Sequence, residues 1–140
     1  MKVFSAAANI SASPEAIWRI LTDAAGYPLW DPTVDRIEGA IALGERLVAH
    51  TKLSPGRAFP LKVTEFAPGK KMTWVGGMPL GLFKGERTFT LSPRADGTVD
   101  FTLREEFSGP LLPLIGRSIP DMTNAFEGFV AGLKLRAESA

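Results

Sequence analysis

The sequence predicts an α+β fold: a curved antiparallel sheet of seven strands wrapped round a long C-terminal helix, with two short helices after the first strand. Three observations carry that reading. From Phe83 to Phe107 apolar residues alternate with polar ones, the period of a strand with one buried face. Then Ile115, Ile119, Met122, Phe126, Phe129, Val130 and Leu133 recur every three or four residues, as on one stripe of a helix. Short Gly/Pro turns separate the strand-like segments before them, and short turns join antiparallel neighbours. A sheet apolar on one face needs a cover, and the helical stripe supplies it.

The elements follow in order. Residues 2–10 read as a strand. The start, Met1-Lys2-Val3-Phe4-Ser5-Ala6-Ala7-Ala8, has too short an apolar stretch for a secretory leader, and Asn9 and Ser11 follow at once. Ser13-Pro14-Glu15 opens a helix: Ser13 can cap it, Pro14 suits the first turn and Glu15 suits the dipole. Ile17, Trp18, Ile20 and Leu21 give it one apolar face to about Asp23. Gly26 and Pro28 break it, and Tyr27, Leu29 and Trp30 fall in a second short helix or turn ending at Asp31-Pro32.

Strands are expected near 34–41, 46–53, 59–66 and 70–76, divided by Gly44, Ser54-Pro55-Gly56 and Pro68-Gly69. Two more, 83–92 and 98–108, form a hairpin whose turn signal is Asp96-Gly97. The final helix is expected between about 112 and 138. Pro120 should kink it or mark its true start, with Ser118 and Asp121 forming a capping-box-like beginning. Seven twisted strands with one long helix cannot pack flat. The sheet must curl round the helix, and that leaves a space between them. With no repeat, linker or low-complexity segment, residues 1–140 read as a single domain.

Composition bounds the function. The 16 basic and 15 acidic residues leave a net charge of +1, which gives no electrostatic case for nucleic acid. Lys70 and Lys71, beside the Pro68-Gly69 turn, are a solvated strand end. The absence of cysteine excludes disulfides, thiolate chemistry and Cys-based zinc sites, and is compatible with a cytoplasmic location. No run approaches the roughly 18 apolar residues of a membrane span, so membrane insertion is not expected. Gly76-Gly77 and Gly81 lack the lysine and the helix of a phosphate-binding loop, so no cofactor is expected.

Several segments together resemble the START-related helix-grip superfamily (SRPBCC), which includes birch-pollen-allergen-like proteins. The likeness is greatest to its bacterial polyketide cyclase/dehydrase-like branch. The resemblance covers nearly the whole chain. Its carriers are Ser13-Pro14-Glu15-Ala16-Ile17-Trp18, Tyr27-Pro28-Leu29-Trp30-Asp31-Pro32, Pro68-Gly69-Lys70-Lys71-Met72-Thr73-Trp74, Gly81-Leu82-Phe83-Lys84-Gly85-Glu86-Arg87-Thr88-Phe89, Asp96-Gly97-Thr98 and Glu106-Phe107-Ser108-Gly109. The resemblance implies a deep, mostly apolar cavity between the sheet and the C-terminal helix. It does not imply one reaction, because the superfamily holds lipid carriers, receptors and cyclases alike. In the family pattern many members carry His where this chain has Arg87. A cavity His can shuttle protons and an Arg cannot.

Strand parity places candidate site residues. In the hairpin the apolar parity is odd, through Phe83, Phe89, Leu91, Val99, Phe101, Leu103 and Phe107. Arg87 and Glu105 share that parity, so both should face inward and lie opposite or diagonal to each other. An inward charge without a partner costs several kcal/mol, roughly, so an ion pair is expected. The pair has two readings: the one polar feature of a pocket, or a structural salt bridge at the sheet's rim, with a bulge turning one member outward as a variant. They are also the only weak candidates for catalysis. Glu105 and Glu106 face opposite sides and cannot form a dyad.

The full set of candidate ligand-binding residues is Trp30, Trp74, Phe83, Arg87, Phe89, Leu103, Glu105, Phe107, Met122, Phe126 and Val130. Trp18 is expected in the core, Trp74 on the pocket wall and Trp30 near its mouth, each with its indole N–H satisfied. His50, the only histidine, shares the more polar strand face with Val48 and Lys52 and should point outward. One His with no Cys offers no metal site. The apolar segment 76–83 is either a flap over the cavity or a loop tucked against the core.

Three functions fit. The first is binding of a hydrophobic small molecule, of lipid or polyketide/aromatic type, in the internal cavity. The second is a cyclase/dehydrase-type enzyme in which Arg87 orients an oxyanion and Glu105 moves a proton. The lack of any His on the apolar face counts against it. The third is a protein-interaction module docking through residues 76–83.

Overall fold

The computed structural model describes residues 1–52 and 56–139, with the Ser118 side chain also outside the description. The chain forms β1 (Lys2–Ile10), α1 (Pro14–Leu21), a 3-10 turn (Ala24–Leu29), β2 (Val34–Glu38), β3 (Arg46–Thr51) and β4 (Ala58–Ala67). It continues through β5 (Lys71–Gly77), a 3-10 turn (Pro79–Gly81), β6 (Lys84–Pro93) and β7 (Val99–Ser108). It closes with α2 (Leu112–Ile115), a 3-10 turn (Gly116–Ser118) and α3 (Thr123–Glu138). The strands form one antiparallel sheet in the order β1-β7-β6-β5-β4-β3-β2. The expected α+β architecture is therefore present. Leu53 and the Ser54-Pro55 part of the expected turn lie outside the described residues.

Local chemistry sets these boundaries. Ser13 Oγ accepts a hydrogen bond from the Ala16 N–H at 3.1 Å and Pro14 begins α1. In the hairpin, Asp96 Oδ1 accepts from the Thr98 N–H and hydroxyl, and Gly97 takes the left-handed φ that the turn needs. Register shifts between Val34 and Arg36, and between Val63 and Glu65, mark bulges on β2 and β4. The second moves the inward parity of β4 from Phe59, Leu61 and Val63 to Phe66, and bulges of this kind bend a sheet into a trough.

Helix α3 lies in the trough against β1, with α1 beside its C-terminal half. Two exposed hydrogen bonds fix it there: Lys134 Nζ donates to the Asn9 carbonyl at 2.6 Å, and the Ser11 N–H donates to Glu138 Oε2 at 2.8 Å. Gly132 allows the close seat. A side-chain carbon there would run into the Trp30 backbone carbonyl.

Of the two outcomes expected of Pro120, a kink in the 112–138 helix or its true start, the chain shows the second, with only the short α2 before it. Pro120 cannot continue a helix, and the chain passes from the Gly116–Ser118 turn through extended backbone before α3 begins at Thr123. Asp121 starts α3: its Oδ1 accepts from the Thr123 N–H at 3.0 Å and hydroxyl at 2.7 Å. The expected capping role of the Ser118 side chain lies outside the described residues.

Candidate functional site: a cavity between sheet and helix

The concave face of the sheet and the first half of α3 enclose a cavity of about 560 Å³. Strands β2 to β7 give one wall, Tyr27 and Asp31 the base of one side, and Met122, Ala125, Phe126 and Phe129 the roof. Its mouth lies among Arg57, Ala58, Met78 and Pro120, which are all exposed. The lining is largely apolar and aromatic. That follows from strand alternation, which sends every second side chain to the same face.

Arg87 and Glu105 are direct cross-strand partners, in a register that runs without a break from Lys84–Ser108 to Pro93–Val99. No bulge turns either outward. Arg87 Nε lies 3.1 Å from Glu105 Oε1, with side chains 22% and 13% exposed, and both line the cavity. The guanidinium carbon also lies 5.1 Å from the Phe126 ring centroid, a cation–π contact between sheet and helix. The pair is a wall feature of the cavity, not a rim salt bridge.

Of the expected site residues, Trp74, Phe83, Arg87, Leu103, Glu105, Phe107, Met122 and Phe126 line the cavity. Trp30, Phe89 and Val130 do not. Phe89 is fully buried between Trp74, 4.7 Å away between ring centroids, and Phe129 at 6.0 Å. Val130 is buried one turn further along α3. Parity gives the face of a residue but not its depth, and these two lie where the trough is already filled. Trp30 packs its ring on Tyr27 and Phe129 and borders a separate groove between α1 and the end of α3, not the cavity mouth.

The indole N–H groups of Trp30 and Trp74 find no hydrogen-bond partner among the described residues, against expectation. Both rings are crowded by other aromatics, which offer no strong acceptor. Trp18 packs on Phe66 at 5.2 Å, at the edge of the core. His50 is away from the cavity, with Nε2 3.4 Å from Glu38 Oε2. Segment 76–83 is not tucked under: Leu80 is 96% exposed, while Gly76, Gly77, Met78 and Phe83 line the cavity.

Sequence reasoning missed Asp31. It is 4% exposed, lines the cavity, and spends Oδ1 on the Thr33 N–H (2.9 Å) and hydroxyl (2.6 Å). Burial pushes its carboxyl above the ordinary aspartate value, against the opposing pull of the Thr33 hydrogen bonds, Arg87 and Lys52. The available signal was a lone carboxylate inside the apolar run Tyr27–Pro32. Tyr27 is not a free donor, because its hydroxyl donates to the Leu21 carbonyl at 2.6 Å.

The family model described as polyketide cyclase/dehydrase and lipid transport matches residues 1–138, so the chain belongs to that family. No curated protein matches the sequence. Solved structures of low identity share the fold. A hypothetical protein of Helicobacter pylori is 16% identical with a TM-score of 0.79, over 97% of this chain and 88% of its own. A START superfamily protein of Mycobacterium smegmatis is 19% identical with a TM-score of 0.70, over 98% and 97%. The di-domain ARO/CYC protein BexL, from the BE-7585A biosynthetic pathway, is 16% identical with a TM-score of 0.71, over 99% of this chain and 47% of its own.

Proposed function

Taking membership of a family of cyclases, dehydrases and lipid transporters as the premise, we propose that this chain binds a hydrophobic small molecule in the space between sheet and α3. One observation carries the reading. The cavity of about 560 Å³ has walls built from aromatic and aliphatic side chains, with one ion pair set inside them. That size falls in the range of ordinary ligand pockets, about 300–1,000 Å³. An apolar body displaces cavity water at little cost, and the Arg87–Glu105 pair orients a polar end. Segment 76–83 lies at the mouth and serves as the gate.

Native mass spectrometry of freshly purified protein, then extraction and a thermal-shift screen of lipids and aromatics, tests this. A stoichiometric apolar ligand, or a clear shift that Ala125→Trp abolishes by filling the cavity, is the expected result. An empty protein whose melting no compound moves removes the reading. It would redirect attention to a protein partner at Leu80 and Leu82.

A second reading, catalysis of the cyclase/dehydrase kind, draws on the same pair lying inside the cavity instead of at its rim. The ARO/CYC protein of similar fold belongs to a biosynthetic pathway, which is the kind of setting such an activity would have. Arg87 would face a developing oxyanion and Glu105 would move the proton. Glu105→Gln separates the two: a binder keeps its affinity, an enzyme loses turnover.

A further inference from the structure

The two carboxylates of the cavity are in opposite situations. Glu105 meets a guanidinium at 3.1 Å. Asp31 has no lysine or arginine within ion-pair distance among the described residues, because Arg87 is committed to Glu105. Both of its hydrogen bonds fall on Oδ1, from Thr33. Oδ2 makes no hydrogen bond among the described residues, although the side chain is almost wholly removed from bulk solvent and lines the cavity. Oδ2 is not among the sealed side-chain atoms that lack a partner, so it opens on the cavity space, and the local turn does not need it, since Oδ1 alone holds Thr33. Serine, threonine or asparagine would serve the turn without the charge.

We propose that Asp31 is a ligand anchor: Oδ2 accepts a hydrogen bond from a hydroxyl or N–H on an otherwise apolar, aromatic-type ligand held in the cavity. This rests on the binding reading above and adds the chemical class of the ligand. Charge on the wall argues for a donor at this point. An ionised carboxylate only accepts, so it favours O–H and N–H groups and repels carboxylates and phosphates. The aromatic lining argues for a flat apolar body: Tyr27, Trp74 and Phe129 all line the cavity, and Tyr27 packs on Trp74 at 6.0 Å and on Phe129 at 6.3 Å between centroids. The raised proton affinity of Asp31 agrees with a group that lacks its partner in the empty protein. A donor supplied by the ligand completes the set of three hydrogen bonds on that carboxylate. The anchor and the Arg87–Glu105 pair then hold different polar groups of one molecule, which gives the cavity a preferred ligand orientation.

The test uses two probes of nearly equal shape, 2-naphthol and 2-methoxynaphthalene, titrated by calorimetry into the unaltered chain and into Asp31→Asn. The methoxy compound carries a methyl group in place of the hydroxyl hydrogen and so lacks the donor. The expected result is about ten-fold tighter binding of 2-naphthol by the unaltered chain, equivalent to about 1.4 kcal/mol, and a ratio near one in Asp31→Asn. Asparagine keeps an oxygen for Thr33 but presents an amide where Oδ2 stood. A ratio that survives Asp31→Asn overturns the proposal and moves the donor to Glu105. Equal binding of both probes by the unaltered chain overturns it while leaving cavity binding intact. Binding of neither removes the cavity reading and this anchor with it. Should Asp31→Asn not fold, the carboxyl carbon resonance of Asp31 decides in the unaltered chain. It should move with 2-naphthol and stay fixed with 2-methoxynaphthalene, and a resonance that ignores both sinks the anchor.

Discussion

The two halves of α3 face the same sheet and end differently. In the C-terminal half, Leu133 is fully buried and Ala137 nearly so, near Ile10, Val99 and Phe101, which are also closed to solvent. In the N-terminal half, Ala125 and the preceding cap residue Met122 are only half-buried and look into a cavity. Both halves read as the same apolar stripe, and both meet strands of the same alternation. What separates them is backbone spacing. At the closed end Gly132 lets the Trp30–Pro32 segment touch the helix, and Lys134 and Glu138 tie it to the end of β1. At the open end Pro120 breaks the approach to the helix, and the bulges on β2 and β4 draw the sheet away. A cavity in this fold is a matter of where backbones are held apart, since side chains close-pack wherever they can reach.

The largest expected effect comes from breaking the close seat. Gly132→Val puts a branched carbon into the Trp30 carbonyl and should cost roughly 3 kcal/mol or more, read as a shifted urea midpoint. An unchanged midpoint would mean that α3 does not sit on that segment. Next comes a matched pair of truncations. Phe101→Ala, at the fully buried end, should cost about 3–5 kcal/mol. Phe83→Ala, half-buried at the cavity, should cost about 1 kcal/mol or less, because its site is already partly empty. Equal losses would erase the distinction between the two ends.

The ion pair tests the open end from inside. Arg87→Met strands Glu105 in the wall and should cost about 2–3 kcal/mol, below the usual figure for a fully buried pair because both groups retain some exposure. Adding Glu105→Leu should recover most of that loss, because two apolar residues of similar volume suit an apolar wall. If the double variant is no more stable than Arg87→Met, the pair is holding β6 to β7 rather than tolerating its own burial.

Much of this was legible beforehand, for reasons that differ by residue. The hairpin turn at Asp96-Gly97 fixes the register, and the register puts Arg87 opposite Glu105, so that contact follows from counting. Ser13-Pro14 announces α1 because capping is local chemistry. Depth was not legible. Phe89 shares parity with Arg87, yet it is sealed while Arg87 meets the cavity, since depth depends on how far the sheet curls and where α3 stops. Ile115 and Ile119 continue the helical spacing although the helix is broken there. Both still line the cavity, so the spacing identified the face, while the break itself was signalled by Pro120 and not by the spacing. Asp31 was hidden for another reason. Beside Pro32 it looks like punctuation at a helix end, and only the fold reveals that its side chain is turned inward while Leu29 and Pro32 stay exposed.

The smallest effect concerns Asp31 and has a defined pH signature. Its carboxyl is held above the ordinary value first by burial, so the folded chain binds that proton more tightly than the unfolded chain does. The resulting stability is fully present below the unfolded carboxylate range and is lost as pH rises through the raised value. The Thr33 hydrogen bonds, then Arg87 and Lys52, oppose the shift without cancelling it. Asp31→Asn removes the ionisation but keeps an oxygen for Thr33. In the ligand-free chain it should therefore be more stable than the unaltered protein at pH 7, by roughly 1 kcal/mol. The gap should close as the pH is lowered past the carboxylate range, in paired thermal melts from pH 7 to pH 3. A gap that stays constant with pH would mean that Asp31 titrates alike in both states. A less stable variant would make the carboxylate a structural need of the turn, and only the opposite sign leaves it a cost that binding has to offset.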